Sequence, residues 1–200
     1  MDDHAHHDHQ HDDHAHTHHD VGEPLDYHGW IAAQRQGKDD FFKRSDHSPI
    51  RPSERSSFGG LSYYPVDPAL RFEFLSLGPV PAGLDVSTQV QTSDGAVRDG
   101  QRMGAFSFVV DGIELQLVAL ELADSQDDSL FVPFKDATNG PETYGAGRYL
   151  DLAPQDDGTY DLDFNLAYSP FCAYSPSYSC PLPPRENWLT APIMAGERNQ

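Results

Sequence analysis

Lysine is almost absent from these 200 residues: Lys38, Lys43 and Lys135 are the only three. Arginine brings the basic total to 13, against 32 aspartates and glutamates, for a formal net charge of −19. Such an imbalance argues against duplex nucleic acid and anionic membrane as partners, because both repel it. Long apolar runs are missing too: none approaches the roughly 20 residues that a membrane-spanning helix needs. The first residues show neither the basic n-region nor the apolar h-region of a secretory signal, so the expected compartment is the cytoplasm. Cysteine is limited to Cys172 and Cys180, too few for a secreted disulfide scaffold. In a reducing compartment they are most simply free thiols, although a local bridge is left open. Outside the first twenty residues histidine is limited to His28 and His47, which leaves a cysteine nucleophile with little choice of base and disfavours thiol catalysis. No nucleophile elbow, HExxH pair, Walker loop or dinucleotide fingerprint occurs.

The first twenty residues hold nine of the eleven histidines and six aspartates, with no lysine or arginine. Residues 1–22 are expected to be a disordered His/Asp-rich tail, because they offer no large apolar residue to anchor a core. His4, His6, His7, His9, His11, His14, His16, His18 and His19 supply imidazoles for zinc, nickel or copper, and the aspartates raise the local cation concentration. A divalent metal is therefore one expected partner. Residues 21–200 still carry 26 acidic against 13 basic side chains. That lysine-poor acidity suits a protein working in high salt, which screens self-repulsion.

Residues 23–200 read as one β-rich unit. Asp26 is placed to cap an amphipathic helix over about residues 26–45, with Trp30, Ile31, Phe41 and Phe42 on its apolar face. A meander is expected over about 70–122: Leu70, Phe72 and Phe74 share one face, and Asp111-Gly112 suits a type I′ turn between two long strands. A second hairpin is expected to pair GRYLDL with YDLDFNLA, putting Leu150 and Leu152 opposite Leu162, Phe164 and Leu166. Asp161, Asp163 and Asn165 would then share the other face. After Tyr168 the prolines require an irregular strap, and LTAPIMAGE offers a final edge strand. The fold class is mainly β, an antiparallel β-barrel or β-sandwich with one N-terminal helix. The barrel is preferred because a long meander must hide its edges.

The chemistry-bearing residues gather in a motif region over 131–189. Asp136, Thr138, Gly140, Thr143, Tyr144, Gly145, Gly147 and Arg148 are followed by Asp163, Phe164, Asn165 and Tyr168. Then come Cys172, Cys180, Pro181, Pro183, Pro184 and Asn187, and finally Gly196 and Glu197. Over about the last 70 residues this string resembles the uncharacterised domain-of-unknown-function 1684 family of prokaryotes. The resemblance implies a β-rich domain and no established activity, and it supplies no catalytic residues. Read from the residues alone, the candidates are Asp136, Glu142, Tyr144, Arg148, Asp163, Asn165, Cys172 and Cys180. One reading makes them a polar pocket in which Arg148 grips a carboxylate or phosphate of an unidentified small molecule, with Asp163 or Glu142 as base or metal ligand. A second makes the tail a metal-handling device. A third makes the arginine and its carboxylates a structural lock in a module without catalysis. Enzyme status and oligomeric state stay open.

Overall fold

The computed structural model describes residues 25–125 and 128–200. The expected tail and its nine histidines lie outside the described residues.

Helix α1 spans Tyr27–Arg44. Asp26 caps it by accepting the Gly29 N–H at 2.8 Å, and Lys43 and Arg44 complement the dipole in the last turn. Tyr27, Ile31, Arg35, Lys38 and Phe42 fall at spacings of three and four, so they form one stripe facing the β domain. Ile31 and Phe42 are fully buried, whereas Trp30 and Phe41 lie at the edges of that stripe and remain exposed. The expected apolar face is thus half right. Its middle is cationic.

Among the described residues seven strands follow: β1 Arg71–Leu75, β2 Ser87–Gln91, β3 Val97–Val110, β4 Ile113–Leu122, β5 Leu130–Phe134, β6 Arg148–Leu152 and β7 Tyr160–Asp163. Asp111 and Gly112 both have positive φ, 49° and 78°, as the type I′ turn between β3 and β4 requires. Strands β2 to β6 form a five-stranded antiparallel sheet in sequence order, and β1 pairs with β7 in a separate two-stranded sheet. No closed barrel forms among the described residues. Nor is there a β6–β7 hairpin: β6 pairs with β5, from Leu130 opposite Leu152 to Phe134 opposite Arg148, while β7 turns away to β1. The period-2 pattern placed Leu150, Leu152, Leu162 and Phe164 in the core as expected, but β7 ends at Asp163 and Leu166, in the 3-10 turn that follows, is exposed; the pattern carries no information about partners.

The edges are covered instead of closed. On the β6 edge, Tyr149 and Tyr168 exchange two backbone hydrogen bonds at 2.8 and 3.0 Å. Beyond β2, the Cys180 carbonyl accepts the Ser93 N–H at 2.8 Å and Leu182 donates to Gln91 at 2.7 Å. One proline-rich strap therefore protects both edges of the sheet. The segment expected as a final edge strand is irregular, yet it supplies Ile193 and Ala195 to the core with no exposure.

The main core joins both sheets through Phe106, Phe108, Leu117, Val132, Phe134, Leu150, Leu162 and Ile193 around Phe164. Phe164 meets Phe134 at 5.3 Å, Phe108 at 5.4 Å and Phe72 at 6.2 Å between ring centroids. Each such fully buried side chain is worth about 1.5–3 kcal/mol. Strand β1 departs from its expected alternation: a bulge gives Phe74 a φ of 56° and turns its ring outward, to 63% exposure.

Candidate functional site

Arg148 opens β6 with no exposure, so every charge-compensating contact must come from the protein. Its Nη2 donates to Asp136 Oδ2 at 2.9 Å and to the Ile193 carbonyl at 2.8 Å; Nη1 donates to the carbonyls of Ala195 and Glu197. The other Asp136 oxygen accepts the backbone N–H of Thr138 at 2.8 Å and of Ile193 at 3.2 Å. The loop between them is tied by Thr138 and Thr143, whose hydroxyls lie 2.9 Å apart. Gly147 has a φ of 114°, and a Cβ there would lie 2.7 Å from the Phe134 carbonyl, so glycine is required just before the arginine. The pair is sealed from any ligand. It fixes the 193–197 segment against the sheet.

That segment delivers Glu197, also buried, to the side chains of α1. Glu197 pairs with Lys38 through Oε1, while Oε2 accepts the Ser169 N–H and the Tyr174 hydroxyl, both at 2.8 Å. Lys38 lies 4.5 Å from the Tyr168 ring centroid. Burial pulls the Lys38 ammonium below its usual range, and Glu197 opposes that shift. One turn earlier Arg35 stacks on Tyr63, its guanidinium carbon 4.5 Å from the ring centroid, and Nη1 donates to the Tyr64 carbonyl at 2.9 Å. Its Nε and Nη2 are enclosed without an acceptor among the described residues, and the Tyr63 hydroxyl is likewise enclosed without a partner among them. These groups line a cleft of about 350 Å³ with Gly37, Asn165, Leu166 and Tyr168.

Asp163 and Asn165 form a network at the start of α1. Tyr27 donates its hydroxyl to Asp163 at 2.8 Å, and Asn165 donates to the Tyr27 oxygen at 2.9 Å and to the Asp67 carbonyl at 2.8 Å. Burial and the Asp163 carboxylate both push the Tyr27 phenol up. Asn165 sits in a 3-10 turn after β7, so it does not share a strand face with Asp161 and Asp163. Tyr144, Cys172 and Cys180 form another group, with the Tyr144 hydroxyl 3.7 Å from the Cys172 sulfur and the Cys172 N–H directed at the Cys180 sulfur at 3.3 Å. Both cysteines are free thiols. Burial pushes the Cys180 thiol up to about 11, the opposite of what activates a nucleophile.

The eight expected candidates therefore do not share one pocket. Asp136 and Arg148 make the lock; Glu142 stands apart, accepting the Tyr64 hydroxyl at 2.9 Å; Asp163 and Asn165 bind Tyr27; the two thiols belong to the strap itself, with Tyr144 beside Cys172. Only Asn165 lines the cleft. Its cations, Arg35 and Lys38, were missed from sequence, although charged residues on an otherwise apolar helical stripe were a signal that could have found them. Among the described residues, no group of three His, Cys, Asp or Glu is placed to hold a metal ion, and no helix is long and apolar enough to cross a membrane.

A family model described as "Protein of unknown function (DUF1684)" matches residues 56–198. The chain belongs to this family. The match extends well beyond the C-terminal third on which the resemblance was read. It starts after α1, so within the cleft Tyr63, Asn165, Tyr168 and Glu197 fall inside the DUF1684 match while Arg35 and Lys38 precede it. A solved structure similar to this chain is the solution NMR structure of an uncharacterized protein of Haloarcula marismortui. It is 43% identical, over 85% of this chain and 92% of that one, with a TM-score of 0.62. No curated protein matches.

Proposed function

We propose that this DUF1684 protein binds a small molecule in the cleft between α1 and residues 165–168. The observation that carries the reading is Gly37. A glycine inside a helix costs about 1 kcal/mol relative to alanine. Packing does not demand it here, because a Cβ at Gly37 would meet nothing within 4 Å. What the missing side chain does provide is width, since Gly37 lines the cleft beside Arg35 and Lys38. The buried Arg148–Asp136 lock supports this site from behind by holding the backbone that presents Glu197.

The test is a fragment screen by ligand-observed NMR on the wild type and on Gly37→Phe, which fills the cleft while improving the helix. Fragments that bind the first and not the second support the reading. Fragments indifferent to Gly37→Phe, or none at all, refute it.

A second reading rests on the tail composition: nine imidazoles among twenty residues chelate zinc, nickel or copper. Metal content of untagged protein, with and without residues 1–20, tests it; metal retained at equal stoichiometry by the shortened chain rules the tail out. The cytoplasm and high salt complete the proposal, both drawn from composition.

A further inference from the structure

We infer that the cleft ligand carries a carboxylate, read by the Nε and Nη2 edge of the Arg35 guanidinium. This assignment rests on the cleft being a binding site and names the chemistry it selects. Arg35 and Lys38 both project from α1, but the two cations are not equivalent. Lys38 is already neutralised by Glu197 and boxed by the Tyr168 ring. Arg35 has no carboxylate within ion-pairing distance among the described residues; its contacts are the Tyr64 carbonyl and the face of Tyr63. That leaves Nε and Nη2 without acceptors.

These two nitrogens lie on one edge of the guanidinium plane, with their N–H bonds parallel. The spacing matches the two oxygens of a carboxylate, which such an edge engages through two short charge-assisted bonds. Bulk water does not reach the pair, so no solvent shell competes for it. Arg35 is tethered by one carbonyl bond and a ring stack, and its enclosed edge must turn toward the cleft when the acid binds. The Tyr63 hydroxyl, also without a partner among the described residues, is a third donor near it. The Asn165 amide does not compete: its nitrogen is committed to Tyr27, Asp67 and Asp163, and its oxygen accepts the Asp67 N–H at 2.8 Å. Asp163 and Glu197 act on the Arg35 charge only from beyond ion-pairing distance, so a guanidinium beside this cleft is a local place that favours an anion on a protein of net charge −19.

The probes are acetate, succinate and benzoate, each compared with its primary amide, which keeps the planar head and loses the charge. Binding is followed through the amide resonances of Ala33, Gln34, Lys38 and Tyr63. At least one acid should bind about tenfold or more tightly than its amide, the difference a charge-assisted pair makes. Arg35→Gln should abolish that preference, and Arg35→Lys, which keeps the charge and loses the fork, should retain part of it. Should Arg35→Gln fail to fold, Arg35→Lys carries the comparison. Equal binding of acid and amide, a preference that survives Arg35→Gln, or no acid perturbing the cleft would each overturn the assignment. A neutral fragment that still binds the wild type and is expelled by Gly37→Phe would then leave the cleft standing and remove only the carboxylate; no cleft binder of any kind removes both.

Discussion

Replacing Arg148 with methionine is the sharpest test of the lock. The substitution keeps an unbranched apolar stem but removes the guanidinium that lies over Phe134 and leaves the Asp136 carboxylate buried without its counter-charge. Three carbonyls, of Ile193, Ala195 and Glu197, lose their donors in the same step. Breaking one side of a buried ion pair costs about 3–5 kcal/mol, against about 5–15 kcal/mol for the whole stability of a typical domain. Urea unfolding followed by tryptophan fluorescence should therefore show the midpoint falling by about a fifth or more with an unchanged slope. The double variant Arg148→Met with Asp136→Leu should recover part of the loss, because the stranded charge goes with its partner. A loss below about 1 kcal/mol for Arg148→Met would mean that water reaches the pair and that it holds nothing, since that is the range of an exposed ion pair.

Gly37→Ala should stabilise the fold by about 1 kcal/mol, raising Tm by roughly 2–4 °C; a lower Tm would show that the glycine is needed for packing. Stability should decline in alkali. Cys180, raised to about 11, contributes stability that is complete below the ordinary thiol value of 9.0 and is lost as pH climbs through about 11. Urea midpoints across that range should fall less steeply for Cys180→Ala, and equal slopes would remove the thiol from the account. Because residues 21–200 carry 26 acidic and 13 basic groups, molar potassium chloride should raise Tm; a fall would refute the salt-adapted reading.

The parts of the fold that depend on near neighbours were readable from the chain. Asp26 capping α1 and the Asp111-Gly112 turn are local chemistry, with partners within a few residues. Strand pairing was not readable, because Leu150, Leu162 and Phe164 signal only that they face a core, and β6 and β7 each reach it from a different sheet. The same limit hid the cleft. The bond from Lys38 to Glu197 spans 159 positions, and nothing in the sequence around Lys38 announces a buried carboxylate. Arg148 was singled out, but its three carbonyl acceptors belong to a segment that reads as an edge strand, so its role as a clamp on that segment had no local signature.

The route of the backbone also bears on when the molecule becomes complete. Residues 193–197 provide the core with Ile193, accept from Arg148 and answer Lys38 on α1, so early and late parts of the chain meet in one place. Synthesis proceeds from the N-terminus. Before residues 193–197 have been made, Arg148 lacks its carbonyl acceptors, Lys38 lacks Glu197, and the five-stranded sheet lacks part of its cover. The nascent protein must wait for residue 197 before Arg148, Lys38 and the sheet are all covered.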